Sequence, residues 1–146
     1  LSSLNGRDVL KDHGEQKIHS DWRKKYDGKF HVFNSIWFLD DISRDNGATK
    51  ILPKTHKLDL PNNHLLKNNV FKDEIFIEGE AGSVLFMNSH LWNAGTKNIS
   101  GKQRRVIHAY FTVKDDHQQT NQLDNLFYKT WKILNVYEKI ILSVNE

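Results

Sequence analysis

The sequence predicts a mainly β domain, in which antiparallel strands form a barrel or a sandwich, followed by a C-terminal helix. Short segments rich in aromatic and β-branched residues recur through residues 18–113, separated by turn signals containing Gly, Asn or Pro. No helical segment stands between these strands, which argues against β–α–β units. In residues 123–144, apolar positions recur at steps of three and four, as expected for one or two amphipathic helices.

The strands are predicted from composition and from the turns that separate them. Residues 1–17 are polar, and we expect a poorly ordered lead-in with at most one strand or helical turn. Residues 53–69 read as a long polar loop and residues 88–101 as a polar connection. The remaining segments predict buried strands at 30–39 and 83–87, a short strand at 48–52, an edge strand at 70–78 and a last strand at 104–113.

Length, composition and charge limit the function. A chain of 146 residues without Cys is expected to form one domain, 1–146, with no disulfide, thiolate metal site or Cys nucleophile. No apolar run reaches the ~18 residues of a spanning helix, so we expect no membrane partner and a cytoplasmic location. Net charge is only +3 and the basic clusters are short, which argues against nucleic acid. A local basic patch of this kind, at Arg23-Lys24-Lys25 or Arg104-Arg105, is compatible with an anionic small molecule.

One short motif indicates a metal site. His19 and Asp21 are two residues apart on a segment that is expected to be extended, so their side chains point to the same side of the backbone. An imidazole and a carboxylate aimed at one point are two of the three ligands of a facial Fe(II) triad. A polar strand edge would contain the same pair by chance, so the motif needs support from elsewhere in the chain.

That support comes from a resemblance carried by three blocks in order. They are His19-Ser20-Asp21; residues 37–41 with 46–49 and 52–57; and residues 82–86 with Trp92-Asn93-Ala94-Gly95 and Arg104-Arg105. Their order and spacing resemble the phytanoyl-CoA dioxygenase family of Fe(II)- and 2-oxoglutarate-dependent oxygenases over roughly residues 15–123. The resemblance implies a double-stranded β-helix, or jelly roll, with the C-terminal helix outside. Members usually have more chain before the His-x-Asp motif, so we expect a fragment that lacks N-terminal elements.

The resemblance also implies the reaction and the residues that perform it. It predicts a dioxygenase that uses Fe(II), 2-oxoglutarate and O₂ to hydroxylate an unactivated C–H bond of a small molecule. His19, Asp21 and Asn93 match the metal-ligand positions. Arg104, eleven residues after Asn93, matches the arginine that pairs with the distal carboxylate of 2-oxoglutarate. Trp37 matches an aromatic residue beside the co-substrate, although a core tryptophan is an equal alternative.

Asn93 departs from the family pattern, which has His at this position. An amide offers an oxygen but no imidazole nitrogen, so iron should be held more weakly. Alternatives are that His90 completes the site, that the protein is a catalytically lapsed binding module, or that it is a cupin-like isomerase or epimerase barrel. Lesser matches are His56 in a loop where Lys54 replaces the usual Gly, His108 as an inward polar residue, and Thr49 as an inward residue of its strand.

Overall fold

Two antiparallel sheets form the domain in a computed structural model that describes residues 1–61 and 70–144. One sheet has four strands in the order β1-β7-β2-β5, and the other has three in the order β4-β3-β6. The mainly β, antiparallel prediction is thereby confirmed. The strands are β1 Ser3–Asp8, β2 Val32–Phe38, β3 Thr49–Leu52, β4 Ile75–Ile77, β5 Val84–Asn88, β6 Trp92–Gly95 and β7 Arg105–Thr112.

The core lies between the two sheets. Ile36 and Phe38 of β2 and Val106 of β7 are buried against Ala48 at the start of β3, and Phe76 of β4 packs on this cluster. Ile36 and Val106 also line a cavity between the sheets. The inner face of the four-stranded sheet therefore contributes both to the core and to the cavity wall. A second buried cluster joins the extended segment before β2 to the three-stranded sheet through Ile18, Leu52 and Ala94. The first cluster thus joins the two sheets, and the second fixes the segment that contains His19 to the three-stranded sheet.

The outer face of the four-stranded sheet is largely exposed. Alternate residues of a strand point to opposite faces, so Phe33 and Trp37 of β2 point away from the core and remain 45% and 48% exposed. Phe86 on β5, an edge strand, is 65% exposed. The prediction of buried strands at residues 30–39 and 83–87 is thus right for one face only, because hydrophobic content alone does not show which face is covered.

The sequence allowed at most one strand in residues 1–17 and missed the strand within residues 88–101. The polar lead-in contains β1, which pairs antiparallel with β7 from Ser3↔Tyr110 to Asp8↔Arg105. The polar connection at 88–101 contains β6, which pairs with β3. Both strands are short and carry few apolar residues. Their backbone hydrogen bonds to β7 and β3 hold them in place, and their own composition does not predict a strand. Of the predicted loop at 53–69, residues 53–61 include a 3₁₀ turn at Thr55–Lys57, and residues 62–69 lie outside the described part of the chain.

Two short helices follow the last strand, as the sequence predicted for residues 123–144. They are α1 Tyr128–Ile133 and α2 Val136–Leu142. Asn135 accepts a hydrogen bond from the Glu138 N–H at 3.0 Å while the Glu138 carboxylate accepts one from the Asn135 N–H, a capping box that starts α2. The N-terminal amino group of Leu1 donates to the carbonyl of Ile141. No helix within residues 1–61 and 70–144 is long and apolar enough to span a membrane.

Candidate metal and co-substrate site

The structure brings His19 and Asp21 together as the sequence predicted. The segment before β2 runs extended beside β6, with backbone hydrogen bonds between His19 and Asn93 in both directions at 2.7 and 2.9 Å. His19 Nε2 lies 3.3 Å from Asp21 Oδ1. Both side chains line a cavity of about 590 Å³, called here the His19 cavity. The two predicted ligands therefore converge on open space at the mouth of the barrel.

The tautomer of His19 suits metal binding. Its Nδ1 lies 2.8 Å from the carbonyl of Lys17, which can only accept, so Nδ1 carries a proton and Nε2 faces Asp21. Two lone-pair donors at this distance repel each other unless a cation lies between them. A proton can fill that role, and the hydrogen bond to Asp21 raises the pKa of His19 above its usual value. A divalent metal ion could replace this proton, so the pair fits two ligands of a metal site.

Asp21 is oriented by residues that the sequence analysis did not identify. The Nδ2 of Asn34, a fully buried side chain of β2, donates to Asp21 Oδ2 at 2.6 Å. The hydroxyl of Tyr110 on β7 donates to the backbone carbonyl of Asp21 at 3.3 Å. Burial acts to raise the pKa of Asp21, yet His19, His108 and Asn34 together lower it. The sequence did contain one signal of this contact. Asn34 is a polar residue at an inward position of a largely apolar strand, and a buried polar side chain needs a hydrogen-bond partner.

Asn93 lies beside the pair. Directly opposed residues of an antiparallel bridge place their side chains on the same face, so Asn93 and His19 share a face. The buried Asn93 side chain uses its amide nitrogen as donor to the carbonyls of Leu91, at 3.2 Å, and His19, at 3.5 Å. These bonds leave the amide oxygen as its available donor atom to a metal. Within the described residues, no group of three His, Cys, Asp or Glu side chains could hold a metal ion.

His90 is not brought to the metal site. It is buried in an aromatic cluster, where its Nε2 accepts the backbone N–H of His31 at 3.1 Å and its ring lies 5.7 Å from that of Trp22. Burial, followed by the charge of His31, lowers the pKa of His90. His56 lies in the nearby 3₁₀ turn, with its ring 5.8 Å from that of Phe30. Both histidines therefore shape the barrel mouth.

Arg104 enters the barrel just before β7, as strand alternation predicted. It is 6% exposed, its Nη2 donates to Thr49 Oγ1 at 3.2 Å, and its buried Nε has no hydrogen-bond partner within residues 1–61 and 70–144. Thr49, predicted to point inward, is therefore a contact of the guanidinium. Burial and then the nearby charge of Arg7 lower the pKa of Arg104. Arginine nevertheless stays charged in proteins, so this is a buried cation.

No ion pair among the described residues includes Arg104, whereas its neighbour Arg105 points outward and forms one with Asp40, at 2.7 Å between Arg105 Nη2 and Asp40 Oδ1. A buried charge without a counter-ion is costly, which predicts that an anion from solution pairs with Arg104. Arg104 and Thr49 line a cavity of about 460 Å³, called here the Arg104 cavity. An anion that pairs with Arg104 therefore has to be small enough for this cavity.

The two cavities meet at Arg7, Gln16 and His108, which line both of them. His108 points inward from β7, as predicted, and its buried Nε2 has no hydrogen-bond partner in the described part of the chain. Burial and the charge of Arg7 lower the pKa of His108 to about 4, so the ring is neutral at pH 7. A ligand that pairs with Arg104 can therefore extend past His108 toward His19 and Asp21. Sequence analysis missed Arg7 because residues 1–17 were expected to be a poorly ordered lead-in, in which no strand register could be assigned.

Trp37 does not reach either cavity. Its side chain lies on the outer face of β2, and its indole N–H donates to Ser35 Oγ at 3.0 Å. Ile36, its neighbour, occupies the inward position beside the Arg104 cavity. The structure thus gives no support to a co-substrate contact for Trp37, nor to the alternative of a core residue. The sequence match placed the residue in the correct strand but on the opposite face.

Comparison with known proteins identifies distant relatives of the chain. The chain is 26% identical over 141 residues to the uncharacterized protein Rv1501 of Mycobacterium tuberculosis, covering 90% of this chain and 50% of that protein. It is 25% identical over 119 residues to the dioxygenase af480 of Aspergillus fumigatus, covering 77% and 36%. The chain therefore spans about half the length, or less, of these curated relatives.

Solved structures show the same fold. HygX from Streptomyces hygroscopicus, with nickel and 2-oxoglutarate bound, superposes with a TM-score of 0.65 at 16% identity, over 82% of this chain and 60% of HygX. The sequence of residues 9–106 matches the family described as phytanoyl-CoA dioxygenase. Since that match extends over more than half of the chain, the protein belongs to the phytanoyl-CoA dioxygenase (PhyH) family.

Proposed function

We propose that the chain is the catalytic part of an Fe(II)- and 2-oxoglutarate-dependent oxygenase that acts on a small molecule with O₂. The observation that carries this proposal is Arg104, a buried guanidinium that contacts Thr49 and has no carboxylate partner among the described residues. A fixed fork of donors in a cavity is suited to a carboxylate. The same cavity adjoins the one that contains His19 and Asp21.

Each part of the site has an assigned role in this proposal. His19 Nε2, an Asp21 carboxylate oxygen and the amide oxygen of Asn93 would hold Fe(II). Arg104 and Thr49 would hold the distal carboxylate of 2-oxoglutarate. HygX supports these cofactors, since its structures contain nickel with 2-oxoglutarate or iron. The distance between His19 and Asp21, together with the His19 tautomer, supports two of the three metal ligands.

When bound, Fe(II) would couple decarboxylation of 2-oxoglutarate, which yields succinate and CO₂, to insertion of one oxygen atom of O₂ into a C–H bond of the substrate. The chain itself orients and desolvates the reactants. Asn34 fixes the second oxygen of Asp21, and Lys17 fixes the tautomer of His19. His108, neutral at pH 7, offers a hydrogen bond at the junction of the cavities without adding charge.

Asn93 favours a second candidate, a binding module that retains the fold and no longer catalyses oxidation. Its amide nitrogen is bonded to two backbone carbonyls, so it acts as a structural side chain in the structure described here. An amide oxygen is also a weaker ligand for Fe(II) than the imidazole that the family pattern has at this position. On this candidate, Arg104 would still bind a carboxylate.

Succinate formation separates the two candidates. The full chain is incubated with Fe(II), 2-oxoglutarate and O₂, and succinate is measured against a His19→Ala control. The oxygenase proposal predicts slow succinate formation even without added substrate, and none above background in the control. Binding of 2-oxoglutarate without succinate formation, at saturating iron, would favour the binding module. Failure to bind 2-oxoglutarate at all would contradict both.

A further inference from the structure

The His19 cavity carries an excess of positive charge beyond what the metal site needs. Among the described residues, three cationic side chains line it: Arg7, which also lines the Arg104 cavity, and Arg23 and Lys24, which do not. Asp21 is the one carboxylate that lines it among the described residues.

These cations are available to a ligand. In the described part of the chain, neither Arg23 nor Lys24 forms an ion pair, whereas the next residue, Lys25, pairs with Asp59 at 3.2 Å. Lys24 is positioned by a cation–π contact, with its Nζ 5.1 Å from the ring centre of Trp22. Thus two adjacent cations face the cavity, and the third basic residue of the same segment is engaged elsewhere.

The cofactors do not neutralise this charge. A bound Fe(II) ion and a 2-oxoglutarate dianion cancel each other, so the cations at the cavity wall remain unbalanced. Apart from the ionisable groups, the lining includes hydrogen-bonding side chains such as Asn5, Gln16 and Gln119 rather than an apolar surface. Such a wall favours a polar, negatively charged ligand over a long aliphatic one.

We propose that the His19 cavity takes a small-molecule substrate bearing an anionic group, a carboxylate, phosphate or sulfate, that pairs with Arg23 and Lys24. Calling the ligand a substrate rests on the proposed oxygenase function. The cationic wall, formed by Arg7, Arg23 and Lys24, is present whether or not the protein is an enzyme. The anion would bind at a part of the His19 cavity that the Arg104 cavity does not share, so that substrate and 2-oxoglutarate occupy separate sites.

The test compares matched probes in the full chain loaded with Zn(II), which is redox-inactive, and saturated with 2-oxoglutarate to fill the Arg104 cavity. Phenyl phosphate, benzoate and neutral benzyl alcohol are titrated by ligand-observed NMR. We expect both anions to bind more tightly than benzyl alcohol. Arg23→Gln and Lys24→Gln should each weaken anion binding about two- to five-fold, the range for exposed charge pairs. Lys25→Gln removes the same charge from the same segment and should leave binding unchanged.

Equal binding of benzyl alcohol and the anions, no anion binding at low salt, or an equal loss in Lys25→Gln would each overturn the proposal. The 2-oxoglutarate affinity of each variant is measured in parallel and should not change. If 2-oxoglutarate fails to bind the parent protein, the oxygenase proposal fails. The unloaded variants still test the cationic wall, since a loss in Arg23→Gln and Lys24→Gln but not in Lys25→Gln locates the anion there.

Discussion

Lys54 occupies a backbone conformation that belongs to glycine. Its φ is +70° at the start of the 3₁₀ turn Thr55–Lys57, and an L side chain in this left-handed region is strained. The family pattern implied by the sequence has Gly at this position, and the structure supplies the physical reason. The Lys54 side chain is exposed, so its removal costs no packing.

Lys54→Gly is therefore predicted to stabilise the protein. The relief of strain exceeds the extra backbone entropy of glycine in the unfolded chain, so the free energy of unfolding should rise by about 1 kcal/mol. Urea denaturation of both proteins measures it. Lys57→Gly, at the end of the same turn, is the control and should destabilise the protein. A loss of stability in Lys54→Gly would show that the turn relaxes in solution.

Arg104 and Arg105 are adjacent residues with opposite surroundings, and this difference predicts their roles. Arg104→Ala should weaken 2-oxoglutarate binding by about 2–5 kcal/mol, because it removes the counter-ion of a desolvated carboxylate. Arg105→Ala should change binding little, because its guanidinium pairs with Asp40 on the outer face. Calorimetric titration of 2-oxoglutarate into both variants gives the comparison. Equal losses in the two would mean that the anion site lies elsewhere.

Asn93 determines how strongly the site holds iron. Asn93→His would add an imidazole nitrogen on the face that it shares with His19. We expect Fe(II) affinity to rise by about 100-fold or more, beyond the 10–100-fold that residues orienting a ligand contribute. Anaerobic metal titration of the variant and the parent protein measures this. His90→Ala is the control and should leave the affinity unchanged, because His90 is bonded to the backbone of His31. Unchanged affinity in Asn93→His would place the third ligand elsewhere or exclude metal binding.

At the scale of elements, His31 links two segments that flank the barrel mouth. Its Nδ1 lies 2.7 Å from Asp116, after β7, and its Nε2 lies 3.0 Å from Asp27, before β2. The hydrogen bond to Asp116, followed by that to Asp27, raises the pKa of His31 above its ordinary value of 6.5. The protonated ring therefore holds the two segments together.

This link predicts a pH dependence with a definite sign. Since the pKa of His31 is higher in the folded state, its contribution to stability is fully present below pH 6.5 and is lost as pH rises through the raised value. The free energy of unfolding, measured by urea denaturation across that range, should fall. In His31→Gln this component should disappear. A parent protein whose stability is flat or rises over the same range would contradict the link.

The sequence predicted a strand correctly where the strand's own residues show the pattern. It failed where pairing with a neighbouring strand determines the structure. The alternation of β7 correctly placed Arg104 and His108 inside and Arg105 outside, because the register of one strand is a property of its own sequence. By contrast, β1 and β6 are defined by hydrogen bonds to β7 and β3 and have little apolar content of their own. Trp37 was assigned to the correct strand, but which face of a sheet is covered depends on distant segments.

For the whole molecule, the sequence predicted the antiparallel β fold from its short β-rich segments. It also identified His19, Asp21 and Arg104 as candidate site residues, because each of them lies in a short motif. It did not predict Asn34 behind Asp21, or Arg7 between the cavities, because both roles arise from contacts across the fold. The cavities themselves are likewise a property of how the two sheets pack. The exposed outer face, with Trp37 and Phe86, is another feature that only the assembled sheet shows.

Anaerobic titration of Fe(II) with and without 2-oxoglutarate shows whether one site in this protein holds the metal and the co-substrate together. Because coupled ligands affect each other reciprocally, we predict that 2-oxoglutarate tightens Fe(II) binding by at least about five-fold and that a visible Fe(II)–2-oxoglutarate charge-transfer band appears. Arg104→Ala should abolish this tightening at the same 2-oxoglutarate concentration. Identical Fe(II) affinity with and without 2-oxoglutarate, and no band at iron saturation, would contradict the account.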